Sequence, residues 1–223
     1  MTASDQLPLT FAHRAALGAE DFMPSGCNQE ARAWLECWPN WPGPALILHG
    51  PAGAGKTHLA AIWQRRAHAI ILDRIKLGAT LEINASRCYL VDPAEPVIDE
   101  VALLQLYNRL REEKGCLLLT ARRPVTQWGL NLPDLASRLT AAPAAAIGAP
   151  DDELLAALFL KMFDDRQLKI PEPVIRYLLT HMERSFAAAR HLVHELDRLS
   201  LARQRPITIP LARLALAAGQ TVD

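Results

Sequence analysis

The chain has 223 residues, half of them apolar, with Lys+Arg and Asp+Glu both at 24 and a formal net charge of zero. That length suits one large domain or a domain with a small appendage, and the charge balance leaves no bulk attraction to nucleic acid or an anionic membrane. No run of about 18 apolar residues appears, so no membrane-spanning helix is expected, and the four cysteines form no C-x-x-C pair, which sets aside zinc and a disulfide framework in favour of free thiols.

Residues 1–26 hold scattered Pro, Gly and Ser without a period and read as an extended arm. The start has no basic stretch followed by an apolar run, so no signal peptide is expected and a cytoplasmic setting follows. Residues 28–38 turn helical, with Ala31, Trp34, Leu35 and Trp38 on one face. The run ALILH (Ala45–His49) reads as a buried strand, and helical spacing resumes over 57–68. Short apolar runs at 69–72, Cys88–Val91, 116–119 and 144–147 read as further strands. Between them lie a helix over 98–114, with Val101, Leu104 and Leu110 among its apolar positions, and a short helix over 132–139. Strands alternating with helices predict a parallel sheet covered on both faces. After Pro150 the character changes. Asp151 can cap a helix through Asp164, Pro171 opens another over 172–182, and residues 185–203 and a last piece within 206–218 follow. The predicted class is α/β up to about residue 149, followed by a small all-helical domain. Trp34, Trp38, Trp41, Trp63 and Trp128 read as packing residues, and His181, His191 and His194 as surface residues.

Gly50-Pro51-Ala52-Gly53-Ala54-Gly55-Lys56-Thr57 fits G-x-x-x-x-G-K-T, with an apolar strand before it and a helix after it. Glycines let the loop curl until successive N–H groups face one point, and the helix start adds partial positive charge there. Lys56 can reach the outer phosphates of a nucleoside di- or triphosphate, and the Thr57 hydroxyl can ligate Mg²⁺. Asp92, directly after CYLV, is the candidate to complete the magnesium site from a neighbouring strand.

The order of these motifs resembles the DnaA/Hda branch of the AAA+ ATPases, over residues 20–218, and within it the Hda-type regulators that inactivate DnaA. The resemblance implies a P-loop AAA+ core with a five-stranded parallel sheet, a helical lid, and ADP or ATP with Mg²⁺ between the two. It divides the chain into an arm over 1–19, a core over 20–149 and a lid over 150–223. Phe22 and Asn28, in EDFMPSGCN, match the stretch that meets the adenine. Residues 50–57 match Walker A, Asp92 the Walker B acid, and TARRP at 120–124 the sensor 1 stretch. PDLASRL at 133–139 resembles the motif that supplies an arginine finger to a neighbouring subunit, which assigns Arg138 that role in trans. Arg190, in AAARHLVHELDRL, resembles the lid's sensor 2 arginine. The sequence has no helix-turn-helix DNA-binding domain after the lid, which favours the Hda type. Gln6, Leu9 and Phe11 fit Q-x-x-L-x-F and resemble the bacterial sliding-clamp-binding motif.

Two departures concern hydrolysis rather than binding. Pro93 stands where a second acid normally follows Asp92, with Glu95 nearby but out of place. Arg122 stands where sensor 1 usually has an acid. Neither replacement orients an attacking water. The implied function is a regulator of chromosomal replication initiation. It would bind adenine nucleotide with weak or absent turnover of its own, and stimulate hydrolysis of DnaA-bound ATP together with the clamp. The alternatives are an autonomous AAA+ ATPase or helicase loader using Glu95, and an adaptor that recruits DnaA without affecting its ATP. AAA+ relatives assemble head to tail, which leaves a homo-oligomer open.

Overall fold

The apolar runs become strands because both of their faces are covered. In the computed structural model, which describes residues 22–73, 87–97 and 99–219, the strands are β1 (Ala45–His49), β2 (Ile70–Ile71), β3 (Cys88–Val91), β4 (Cys116–Ala121) and β5 (Ala144–Ala146). They form one parallel sheet in the order β2-β3-β4-β1-β5. Along β1, Ala45 and Ile47 enter one buried cluster while Leu46 and Leu48 enter the other. A strand of period two with both faces buried must be apolar throughout, which is why ALILH carries no polar alternation.

One face is covered by α3 (Glu100–Glu112) and α4 (Pro133–Ala141), the other by α1 (Gln29–Glu36) and α2 (Lys56–Ala67). The inward stripe of α3 is Leu103, Leu106, Tyr107 and Leu110, at helical spacing. Of the apolar positions named from the sequence, Leu110 lies in this stripe, Leu104 is only partly buried and Val101 is 57% exposed; Asp99 caps the helix by accepting from the Ala102 amide at 2.8 Å. β1 sits between β4 and β5, so the strand that precedes the glycine-rich turn has a neighbour on each side. The crevice beyond its carboxyl end lies where an open α/β sheet places ligands.

The cysteine expectation is also corrected. Cys88 and Cys116 face each other in the β3–β4 register, Cα atoms 4.5 Å apart, and are joined as a disulfide, while Cys27 and Cys37 are free thiols. Their 28-residue separation gave no sign of this, because strand register makes them neighbours.

After β5 the chain is helical. The helices are α5 (Asp152–Asp164), α6 (Glu172–His181), α7 (Phe186–Arg203) and α8 (Ile209–Gly219), around a core that includes the stacked rings of Phe159 and Phe163. Asp151 caps α5 as expected, accepting from the Leu154 amide at 2.7 Å. Arg184 binds both oxygens of Asp152, at 2.9 and 3.1 Å, and so ties the start of α5 to the turn before α7. Leu154 and Phe186 join the cluster on the α2 face of the sheet, which seats the helical unit against the core. Among the described residues no helix is long and apolar enough to cross a membrane. The arm residues Gln6, Leu9 and Phe11 lie outside the described residues.

Candidate nucleotide-binding site

The turn after β1 is shaped by its glycines. Gly50 has φ +156°, and a Cβ there would lie 2.5 Å from the Ile147 carbonyl oxygen. The strands make that approach close: the Gly50 amide donates to the Ala121 carbonyl at 3.2 Å, and the Ile147 amide to that of His49 at 2.7 Å. Gly53 (φ +79°) and Gly55 (φ +87°) occupy left-handed conformations, and Gly55 is the cap from which α2 begins at Lys56. Added Cβ atoms there would meet the Phe186 Cβ and the Phe22 ring, each at 3.2 Å. A loop whose three glycine positions disfavour a side chain, opening onto a helix N-terminus, fits a pyrophosphate.

Lys56 is half-buried, and its ammonium donates to the Gly50 and Pro51 carbonyls at 2.8 and 2.7 Å. Burial lowers its pKa, partly offset by the carboxylate of Asp92. Thr57 is exposed in the first turn of α2. Asp92 ends the run after β3, and its Oδ1 accepts from the Thr120 hydroxyl. A hydroxyl and one carboxylate are oxygen donors that suit Mg²⁺, which draws most of its ligands from phosphates and water. No cluster of three or more His, Cys, Asp or Glu side chains able to hold a metal occurs among the described residues.

Pro93 is exposed at the position after Asp92, whereas Glu95 is only 7% exposed. One Glu95 oxygen accepts from the Arg122 amide and, at 3.1 Å, from the Arg123 amide. The other lies 3.6 Å from the Arg123 Nε. This carboxylate is committed to clasping the end of β4. Glu95→Ala is therefore expected to lower stability by about 2–3 kcal/mol, the scale of lost hydrogen bonds to a buried charge, without changing basal ATP turnover. Urea unfolding and a steady-state ATPase assay check both halves. Robust turnover in the parent that disappears in the variant would instead favour an autonomous ATPase.

A cavity of about 560 Å³ lies between the P-loop and the helical unit. It brings together Phe22, Asn28, Gly53, Ala54, Gly55, Lys56, Thr57 and Arg190 from the predicted set. Phe22 stands edge-on to His58, ring centroids 5.3 Å apart. Asn28 is buried, and its amide is engaged in its own loop: Oδ1 accepts from the Ser25 amide at 3.1 Å and Nδ2 donates to the Met23 carbonyl at 3.0 Å. It holds the segment that presents Phe22. The Arg190 Nη1 comes within 3.6 Å of the position a Gly53 Cβ would take, and no ion pair to Asp164 or Asp165 is found among the described residues. Phe186, Leu154, Leu158, Lys161 and Arg166 complete the lid-side wall. Sequence reasoning missed them because no local motif marks residues that α5 and α7 carry to the P-loop from about 100 positions away. Gly50 and Asp92 stand at the strand ends rather than in the lid-side wall.

Arg138 is not in this cavity. It projects from α4, bonds the Asp134 carboxylate at 2.9 Å and lies over the Tyr107 ring at 6.0 Å from its centroid. The start of α4 is held by Glu100 of α3, whose carboxylate accepts from the Asn131 amide at 3.0 Å and the Leu132 amide at 2.6 Å. These hydrogen bonds, Asn131 first, hold the Glu100 pKa below the usual carboxylate range.

Residues 151–216 match the family model of the Hda lid domain. The chain is similar in structure to domain III of the Thermotoga maritima replication initiation protein DnaA, at 17% identity and TM-score 0.73, covering 89% of this chain and 95% of that one. It is also similar to AMPPCP-bound DnaA from Aquifex aeolicus (18% identity, TM-score 0.66, 81% and 64% covered) and to a RuvB mutant from Thermotoga maritima (14%, 0.69, 89% and 71%). The chain thus spans nearly all of the isolated DnaA domain but about two thirds of the longer DnaA chains. At these identities the structural likeness establishes the fold.

Proposed function

We propose that this chain, a DnaA/Hda-like AAA+ protein, holds ADP or ATP with Mg²⁺ in the cavity under its lid and regulates replication initiation by stimulating hydrolysis of DnaA-bound ATP together with the sliding clamp. In this reading residues 20–149 form the nucleotide core, 150–223 the lid and 1–19 the clamp-binding arm, and the protein works in the cytoplasm. The main-chain amides of residues 52, 53 and 55–57 and the Lys56 ammonium grip the phosphates, Pro51 having no N–H and Gly50 donating to Ala121. Phe22 lies against the adenine, Asn28 fixes the loop that carries Phe22, and Arg190 closes over the phosphates from the lid. Bound Mg²⁺, held by Thr57 and Asp92, would neutralise charge on the outer phosphates.

The observation that carries the reading is a division within the molecule. At the strand ends beside the P-loop, Pro93 follows Asp92 and Glu95 clasps β4, so neither of these positions offers an acid free to orient water. The arginine suited to phosphoryl transfer stands on another helix, outside the nucleotide cavity. A finger supplied in trans raises a partner's hydrolysis by about 10³–10⁵, and head-to-tail AAA+ assembly is the arrangement that delivers one.

The test is ATP turnover by DnaA in the presence of clamp-loaded DNA, with and without this protein. Stimulation is expected from a protein with negligible turnover of its own. Changing Gln6, Leu9 and Phe11 together to Ala should remove clamp binding and raise the concentration needed for stimulation about 100-fold, the loss expected when tethering is removed. Equal stimulation without the clamp would contradict the tethered form of the proposal.

A further inference from the structure

We infer that the Cys88–Cys116 bond is a redox-sensitive staple on the strand that leads to Asp92, opened by a dithiol reductant and coupled to the nucleotide site. The coupling rests on the proposed nucleotide reading; the staple itself does not.

β3 has few other holds. Four of its residues pair with β4, whereas on the other flank only Ile70 and Ile71 of β2 pair with it. At its start the disulfide joins residues 28 positions apart, with α3 between them. Beyond its end Asp92 accepts from the Thr120 hydroxyl, and the Ala94 amide donates to the Thr120 carbonyl at 2.7 Å. The strand that places Asp92 is therefore pinned to β4 at both ends, and one of the pins is a bond that two electrons open. In the cytoplasm proposed for this chain, such bonds are ordinarily transient and redox-sensing.

The surroundings of the two sulfurs differ. Both cysteines are only partly buried, so a small reductant can reach them. The Trp38 indole N–H donates to the Cys116 Sγ at 3.3 Å. That indole is held in place: the Arg66 guanidinium lies over its ring at 5.7 Å and donates to the Trp38 carbonyl at 3.3 Å, and Trp63 meets the ring edge-on at 6.3 Å. A donor aimed at one sulfur stabilises that sulfur as a thiolate and makes it the better leaving group. A reductant thiolate therefore attacks the Cys88 Sγ and forms a mixed disulfide there. The S–S bond breaks, and Cys116 leaves with the electron pair as a thiolate that accepts from the Trp38 N–H. The reductant's second thiolate then displaces Cys88. The dithiol ends as its own disulfide, its two protons passing to Cys88 and Cys116.

The full chain, oxidised and then treated with dithiothreitol, tests this in the parent, in Trp38→Phe and in a chain with both Cys88→Ser and Cys116→Ser. Alkylation and peptide mapping should show Cys88 joined to Cys116 before reduction and both labelled after it, and a mixed disulfide trapped with glutathione should map to Cys88. Reduction should lower the melting temperature of the parent by about 10 °C, the scale for a loop of this length, and leave that of the doubly substituted chain unchanged. Trp38→Phe keeps a ring but removes the N–H, and should slow reduction about threefold or more. Calorimetric titration in excess Mg²⁺ should find ADP bound about fivefold more weakly by the reduced parent, the lower end of coupling between two sites. A bond from Cys37 to either strand cysteine, or a melting temperature indifferent to reduction, overturns the staple. Equal ADP affinity in the two redox states overturns the coupling. A parent that binds no nucleotide in either state overturns the nucleotide reading and the coupling with it, and the melting temperature still decides the staple.

Discussion

Arg138→Ala is expected to reduce the stimulation of DnaA-bound ATP hydrolysis by about 10³-fold or more, the loss typical of an arginine finger. The surrounding structure orders the guanidinium to which the proposed function gives that role. Glu100 of α3 holds the first amides of α4, and one α-helical turn separates Asp134 from Arg138, so their bond is made within a single rigid element. Tyr107 lies under the same guanidinium, and the side chain is 27% exposed. An arginine already ordered loses less conformational freedom when it meets a neighbour's phosphates. Arg138→Lys should not restore the rate, because a point charge on a flexible stem cannot reproduce the planar fork. Single-turnover hydrolysis of radiolabelled ATP on DnaA, with the clamp present, provides the measurement. Full stimulation by Arg138→Ala would leave the protein a recruiting adaptor instead.

The second large effect belongs to Gly50. In Gly50→Ala the new methyl group would have to occupy space 2.5 Å from the Ile147 carbonyl oxygen, a backbone atom tied into the β1–β5 pairing. Either β5 moves or the P-loop leaves its register. We expect a loss of about 2–4 kcal/mol in urea unfolding, combining overpacking with backbone strain, and at least a 100-fold weaker grip on nucleotide. Gly53→Ala separates the two effects. Its Cβ meets the Phe186 Cβ at 3.2 Å under a left-handed φ of +79°, which costs about 1–2 kcal/mol and narrows the cavity without touching the sheet. Parent-like nucleotide affinity in Gly50→Ala would mean that the loop is not the cradle described.

Much of this architecture was legible because it follows from local rules. Period-two burial on two faces makes β1, β3 and β4 continuous apolar runs, and the positive φ values at Gly53 and Gly55 explain why the P-loop spacing can be read as a string. Asp151 could be read as a cap because capping depends only on residues three apart. What escaped reading depends on distant pairing. The Cys88–Cys116 bond follows from strand register, and the lid-side wall follows from how α5 and α7 settle on the sheet. Which apolar positions of α3 face inward is not fixed by periodicity alone: Val101 is exposed while Leu103 is buried. Asn28 lines the cavity, yet its amide is bonded within its own loop. Glu95 was legible as an acid near Asp92, but its hold on the β4 terminus required coordinates.

The most direct test of the central claim is calorimetric titration of ADP and ATP into the parent protein and Lys56→Ala. The account predicts saturable one-to-one binding to the parent, weakened at least about tenfold in the variant by loss of a charge-assisted contact to phosphate. Absence of binding to the parent, or superimposable isotherms for the two proteins, would contradict it.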